Sequence, residues 1–306
     1  MKGFIIKRLM LLLPVVFGVL TLVFLLIHLI PGDPVDLMLG ENARATDKEA
    51  LRKELRLDEP LAEQYLHFIG GAIRGDLGMS FHSKQPVIEL ILQKYPETIK
   101  LTLAAMLMAL IISLPIGTYS ACKQYSWVDN FSMFFALFGI SMPNFWLGPL
   151  LMIVFSVKLG WFPVSGNEGV FSIVLPALTL GTAMAAILSR MVRASMLDVI
   201  NQEYIVTARA KGLSETDVIF KHALKNALVP VVTIVGLQFG ALLAGAIITE
   251  TIFSWPGVGR LLIQAINTRD YPLVQGCVLV ISISYVLTNL ITDIAYSYID
   301  PRIQLR

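Results

Sequence analysis

The feature that most constrains this chain is the stretch at residues 9–30, which follows Lys7 and Arg8 and holds no Asp, Glu, Lys or Arg. A helix of that length covers roughly 30 Å of hydrocarbon. In lipid the backbone polar groups must be satisfied internally, which favours helices. Comparable runs recur at about residues 101–121, 131–157, 173–188, 228–248 and 274–291. The expected fold class is therefore all-α: a polytopic membrane protein with about six transmembrane helices. Composition agrees, since charged residues make up 15% of the chain against about 25% in an ordinary soluble protein. A cleaved signal would carry a shorter apolar region and a small-residue cleavage site, so the first run is expected to be retained.

Lys and Arg in short loops set the orientation. With the N-terminus inside, the cytoplasmic side receives Lys2, Lys7, Arg8, Lys123, Arg190, Arg193, Arg209, Lys211, Lys221, Lys225, Arg302 and Arg306. The short outer loops keep Lys158, Arg260 and Arg269. Both termini are expected to be cytoplasmic. The net charge of +2 over 306 residues points to no nucleic-acid partner. Cys122 and Cys277 fall in separate runs near opposite faces, so they read as packing residues rather than a disulfide or a metal site.

The long segment after the first run has enough apolar residues to fold outside the membrane. Residues 50–57 and 61–73 read as short amphipathic helices, with Leu51, Leu55, Leu61, Tyr65 and Phe68 on buried faces and Pro60 before the second. The segment serves either as a compact cap or as a docking surface for a soluble partner; the two are compatible.

An ion-coupled secondary transporter needs ionisable groups at mid-membrane, each costing about 2.5–3.5 kcal/mol to insert. None falls near the centre of a proposed span. Asp293 and Glu250 sit near span ends, and His28 near the outer end of the first reads as structural. The chain carries no G-x-x-x-x-G-K-[ST] phosphate loop, paired-histidine zinc motif or G-x-S-x-G elbow. Neither an ATPase nor a polytopic enzyme is indicated, and uphill transport would draw energy from another subunit.

Within the third run, Ser141-Met142-Pro143-Asn144 breaks helical hydrogen bonding, with Pro149 further on. Such a break serves as a packing kink or lines a path. In the fifth run, Gly236, Gly240 and Gly245 with neighbouring alanines permit close helix approach. Between the fourth and fifth runs, residues 190–227 are too charged for the membrane. Residues 202–211 can form a helix ended by Gly212, and Ser214-Glu215-Thr216-Asp217 fits the [ST]-x-x-[DE] pattern that starts another. Such a two-helix knob can receive motion from a soluble motor; the alternative is a solvated loop that simply connects the spans.

The stretch Tyr204-Ile205-Val206-Thr207-Ala208-Arg209-Ala210-Lys211-Gly212-Leu213, followed by His222-Ala223-Leu224-Lys225-Asn226-Ala227, resembles the cytoplasmic coupling loop of ABC-importer permeases. More narrowly, it is similar to the dipeptide/oligopeptide/nickel family. Val206 and Thr207 stand where the general permease motif has Glu and Ala, which matches the peptide branch and removes any salt bridge inferred from that glutamate. Pro31-Gly32-Asp33-Pro34, Gly75-Asp76-Leu77-Gly78, Ser141-Met142-Pro143, the stretch from Glu250 to Gly259, Arg269-Asp270-Tyr271-Pro272 and Asp300-Pro301-Arg302-Ile303 extend the likeness over nearly the whole chain.

The resemblance implies a type I ABC importer permease fold in the inner or plasma membrane of a prokaryote. It also implies a second permease, two ATPase subunits that use ATP and Mg, and an extracytoplasmic solute-binding protein; no cofactor is expected on this chain. Residues 1–94 would form the first helix and outer loop, 95–297 the permease domain with its coupling loop at 190–227, and 298–306 a tail. Thr207, Ala208, Arg209, Ala210, Lys211, Gly212, Leu213 and Ser214 would meet the ATPase. Ser141, Pro143, Asn144 and Gly240 would line the path, and Asp33, Asp76, Trp255 and Asp270 would contact the binding protein. Dipeptides or oligopeptides are the expected substrates, with glutathione and nickel chelates as alternatives.

Overall fold

The structure, a computed structural model, describes residues 2–29, 33–40 and 42–299. Pro31, Gly32, Arg302 and Arg306 of the readings above lie outside these residues, as does the tail motif from Asp300. Thirteen α-helices run along the described chain. They are α1 (Lys2–Leu29), α2 (Pro34–Leu39), α3 (Ala45–Glu54), α4 (Leu61–Arg74), α5 (Val87–Cys122), α6 (Trp127–Ser141) and α7 (Asn144–Leu151). The rest are α8 (Val174–Ile200), α9 (Glu203–Ala210), α10 (Glu215–Asp217), α11 (Leu224–Ile252), α12 (Val258–Asn267) and α13 (Tyr271–Ile299). Among the described residues the only ladder contact is an isolated bridge, Met79–Pro86.

Four helical stretches are long and apolar enough to cross a bilayer: Val87–Cys122, Val170–Ile200, Glu215–Ile252 and Tyr271–Ile294. Trp127–Ser141 with Asn144–Lys158 makes a fifth if its halves, bent by 108°, count as one span. In α1, 28 residues long, the apolar stretch is the shorter Met10–Leu25. Against the six expected passes, four helices are thus long and apolar enough by themselves, five with the bent pair, while α1 contributes a shorter apolar stretch. The break has a local cause. Met142 precedes a proline, which disfavours the helical region for it, and it is extended at φ −83°, ψ 119°. Pro149 then sits inside α7, and from Met152 to Lys158 the chain winds as a π-helix, consistent with the N–H that Pro149 lacks.

The chain divides into two compact units. One comprises Ile99–Trp255 and the chain from Leu287 onward. Its axis is α8, packed most extensively on α11 and then on α6. Small residues make this possible. A Cβ at Gly181 would fall 2.5 Å from the Ala105 carbonyl oxygen of α5, and one at Gly117 would fall 2.6 Å from that of Ser189. The backbones of α5 and α8 thus abut at two levels. Gly236 instead makes room for the Thr292 side chain of α13, whose Cγ2 would lie 2.4 Å from a Cβ. The close-approach glycine of the fifth run thus serves packing inside this chain.

The other unit comprises Lys2–Thr98 and Pro256–Val286. Leu20 and Val23 of α1 pack with Leu279 of α13 and with Phe68, Ala72 and Leu77. A second cluster joins Val35, Met38 and Leu51 with Leu55, Leu57, Phe81 and Tyr271. Asp33 caps α2, its carboxylate accepting from the Val35 N–H at 3.0 Å, with Pro34 at the first helical position.

Two sequence expectations shift here. The first cap helix is Ala45–Glu54 rather than 50–57, and Leu55 caps it. Leu61, expected on a buried face, is 59% exposed because it occupies the first turn of α4, right after Pro60.

Candidate functional site

The polar segment expected at 190–227 is mostly helix. α8 runs on past its apolar run to Ile200, and from Glu215 the chain is helical again into α11. What remains is a compact knob from Asn201 to Ser214. Ile205 and Ala208 of α9 are buried and, with Val218 and Ala223, join the apolar cluster that holds Ala121 of α5 and Val192 and Met196 of α8. The spacing of Ile205 and Ala208 puts both on one helix face, and that face is the underside.

The corner is a hydrogen-bonded stop. The Gly212 N–H donates to the Arg209 carbonyl at 2.9 Å, and the Leu213 N–H donates to that of Ala208 at 3.4 Å. This is the Schellman pattern, and it requires a left-handed residue; Gly212 has φ +78°. Ser214 then caps the next helix: its Oγ accepts from the Asp217 N–H at 3.2 Å and donates to Oδ2 of Asp217 at 2.7 Å. Across the corner, Arg209 donates to Glu215 twice, at 2.8 and 3.4 Å. Arg209 thus has a carboxylate partner although the general motif's glutamate is replaced by Val206. Asn226 Nδ2 donates to the Tyr204 hydroxyl at 2.9 Å, tying α9 to the base of α11.

The outward side of the knob is open. Thr207, Arg209, Ala210, Lys211, Gly212, Leu213 and Ser214 are exposed, whereas Ala208 is buried beneath them. Val206 and Phe220, 57% and 56% exposed, add apolar surface. The projection thus presents solvent-exposed apolar side chains beside Lys211 and the Glu215-paired Arg209.

Beneath the knob lies an ion pair that the sequence reading missed. Arg193 of α8 grips Asp129 at the start of α6 with both arms, Nε to Oδ1 and Nη2 to Oδ2, each at 2.7 Å. Asp129 also accepts from the Ser120 hydroxyl at the end of α5 and from the Tyr125 N–H at 2.9 Å. It is 2% exposed. The signal was present, because Ser126-x-x-Asp129 is the same capping pattern as at Ser214, and Ser126 does cap α6.

The other expected site residues divide. Ser141 and Pro143 are exposed at the break and Asn144 is half-buried, while Ser141 Oγ donates to the Leu137 carbonyl at 2.9 Å. Gly240 is buried among the helices and in this chain lies in packing rather than on a surface. Asp76 is exposed and accepts from the Gly78 N–H at 3.0 Å. Asp33 is half-buried and bonded to Arg52.

Trp255 and Asp270 were expected to meet a partner, but they are 3% and 1% exposed. The Asp270 carboxylate is occupied internally, accepting from the Ser80 hydroxyl at 2.6 Å and from the N–H groups of Phe81, His82 and Leu273 at 3.2–3.3 Å. Glu250, read as lying near a span end, sits two residues before the end of α11 and is fully buried within the chain. His28 has the structural role expected, within 3.2 Å of the Phe24 carbonyl and of Gln64 Oε1.

Comparison with known proteins agrees with this architecture. Two chains of the MetNI methionine ABC transporter, solved in inward-facing conformations, superpose with TM-scores of 0.56 and 0.55 at 17% and 19% identity. They cover 69% and 70% of this chain and 96% and 97% of theirs. The glutathione transport system permease protein GsiC of Escherichia coli (strain K12) is 46% identical over the full length of both chains, and that of Shigella flexneri serotype 5b is 45% identical over the same span. Residues 1–102 match the N-terminal membrane component of binding-protein-dependent transport systems. With residues 113–305 matching the main component, the chain belongs to the family of binding-protein-dependent transport system inner membrane components, a permease of the ABC-importer class.

Proposed function

We propose that this permease imports a short peptide, and that glutathione is its substrate. Full-length likeness to permeases named for glutathione supports glutathione over the dipeptides or oligopeptides that the family resemblance implied. The observation that carries the mechanism is the knob from Asn201 to Ser214: buried below, capped at its corner and open above. We assign to it the docking of a cytoplasmic ATPase. In this reading two ATPase subunits bind and hydrolyse ATP with Mg, and a second permease completes the path. An extracytoplasmic binding protein delivers the substrate, and both termini of this chain face the cytoplasm. Closure of the ATPases pulls the knob and switches the spans between inward- and outward-facing arrangements.

The test is uptake by the complex reconstituted with the products of neighbouring genes. Labelled glutathione should enter proteoliposomes only with ATP and the binding protein, and faster than labelled dialanine. Preference for dialanine would overturn the substrate assignment, and ATP-independent uptake by the chain alone would overturn the importer mechanism. Gly212→Arg should abolish uptake while leaving the protein in the membrane. Uptake at the wild-type rate would refute the docking assignment.

A further inference from the structure

We infer that Asp129 and Arg193 are positioning residues for energy coupling: a strut that carries displacement of the knob into three membrane helices at once. The inference rests on the reading of the knob as the ATPase-docking element.

The geometry places the pair where such a strut must be. Arg193 lies about two turns before Ile200, where α8 gives way to the knob. Its partner Asp129 lies in the first turn of α6, and Ser120, at the end of α5, bonds the same carboxylate. The flanking residues Ala121 and Val192 belong to the apolar cluster that receives Ile205 and Ala208 from the underside of the knob. One turn away, Gly117 lets α5 touch the α8 backbone at Ser189. Displacement of α9 therefore bears on α8 through covalent continuity and on α5 through apolar contact. It reaches α6 through the carboxylate–guanidinium bond.

The chemistry explains why charges occupy this place. Two apolar surfaces in contact can slide, because dispersion has no direction. A guanidinium holding a carboxylate through two parallel bonds fixes both distance and orientation. Burying such a pair contributes little net stability, since desolvation offsets the attraction, and shape-matched apolar replacements are often tolerated. Stability alone is therefore a poor account of a 2% exposed aspartate. Fixed geometry between α6 and α8 is what the pair supplies and an apolar contact would not.

The experiment uses the assembled importer in proteoliposomes, with the double variant Asp129→Leu/Arg193→Met. This variant removes both charges and so leaves neither unpaired. It should insert, show only a modest drop in thermal midpoint from the acceptor withdrawn from the Ser120 hydroxyl and the Tyr125 N–H, retain the ATPases on purification and hydrolyse ATP at the basal rate. Uptake per ATP hydrolysed should fall by about ten-fold. The probe is labelled glutathione or labelled dialanine, whichever the wild type takes up faster. Arg193→Lys, which keeps the charge but loses the fork, should fall between the two.

A double variant with wild-type uptake per ATP would overturn the strut, and so would loss of the ATPases on purification, because the pair would then merely hold the knob's shape. Gly212→Arg separates the two readings. If it releases the ATPases while the double variant transports normally, the strut alone falls. If it leaves them bound, the docking reading falls and the strut with it.

Discussion

Gly212 offers the sharpest test of the knob, because its cost can be assigned to one cause. A Cβ built there meets nothing within 4 Å, so no steric contact opposes substitution. The backbone opposes it instead, since φ is +78°. An L-residue in that conformation loses about 1–2 kcal/mol. Replacing glycine also stiffens the unfolded chain, which returns about 0.4–1 kcal/mol. For Gly212→Ala the net is about 1 kcal/mol against the closed corner, roughly a five-fold change in its population. Asparagine tolerates the left-handed region better, so Gly212→Asn should lose much less. Hydrogen exchange of the segment 203–217 in lipid nanodiscs reads this directly, through the Gly212 and Leu213 amides that close on Arg209 and Ala208. Exchange should quicken several-fold in the alanine variant and little in the asparagine variant, with uptake falling in the same order. If alanine and asparagine behave alike, the requirement is not the backbone conformation and the reasoning fails.

Three further substitutions probe the packing. Gly181→Leu drives a side chain toward the Ala105 carbonyl, a backbone atom 2.5 Å from the built Cβ, and should cost at least about 1–3 kcal/mol; an unchanged thermal midpoint in nanodiscs would show that α5 and α8 do not abut there. Asp270→Ala strips the acceptor from one hydroxyl and three N–H groups. The loss should be about 3–5 kcal/mol, seen as faster proteolysis of the loop near Ser80, and full resistance would refute it. Glu215→Ala breaks an exposed ion pair and should shift stability by less than about 1 kcal/mol; a larger drop in midpoint would mean the corner depends on that pair.

Most of the spans, the caps at Ser214 and Gly212 and the break at Pro143 were legible in the sequence because each is a local effect. Hydropathy, a capping oxygen and a missing N–H act within a few residues of their cause. Span boundaries were less legible. Hydropathy ends the fourth run near 188, yet α8 continues to Ile200 because Val192 and Met196 are buried in the apolar cluster that also receives the knob. Partner assignments were least legible. Asp270 and Trp255 stand in exposed-looking motifs, and their burial depends on chain far away, such as the Ser80–His82 turn 190 residues from Asp270. Arg193 was counted as a loop cation when its partner lies 64 residues upstream. Pairwise geometry of that range leaves no periodicity to read.

The placement of polar and small residues bears on how the membrane part can move. In the unit built on α8, small residues bring backbones together: Gly181 against Ala105, and Gly117 against Ser189. The Asp129–Arg193 bond lies at the end of the bundle nearest the knob. Close backbone approach resists sliding, because a ridge displaced along the helix meets main chain rather than a flexible tip. A charge-assisted pair at the end resists splaying, because opening it leaves a buried carboxylate uncompensated. Helices joined in both ways move as a block. On the proposed docking, force applied at Arg209 and its neighbours would then pass into α5, α6 and α8 rather than be absorbed by local deformation, which is the property that a coupling element needs.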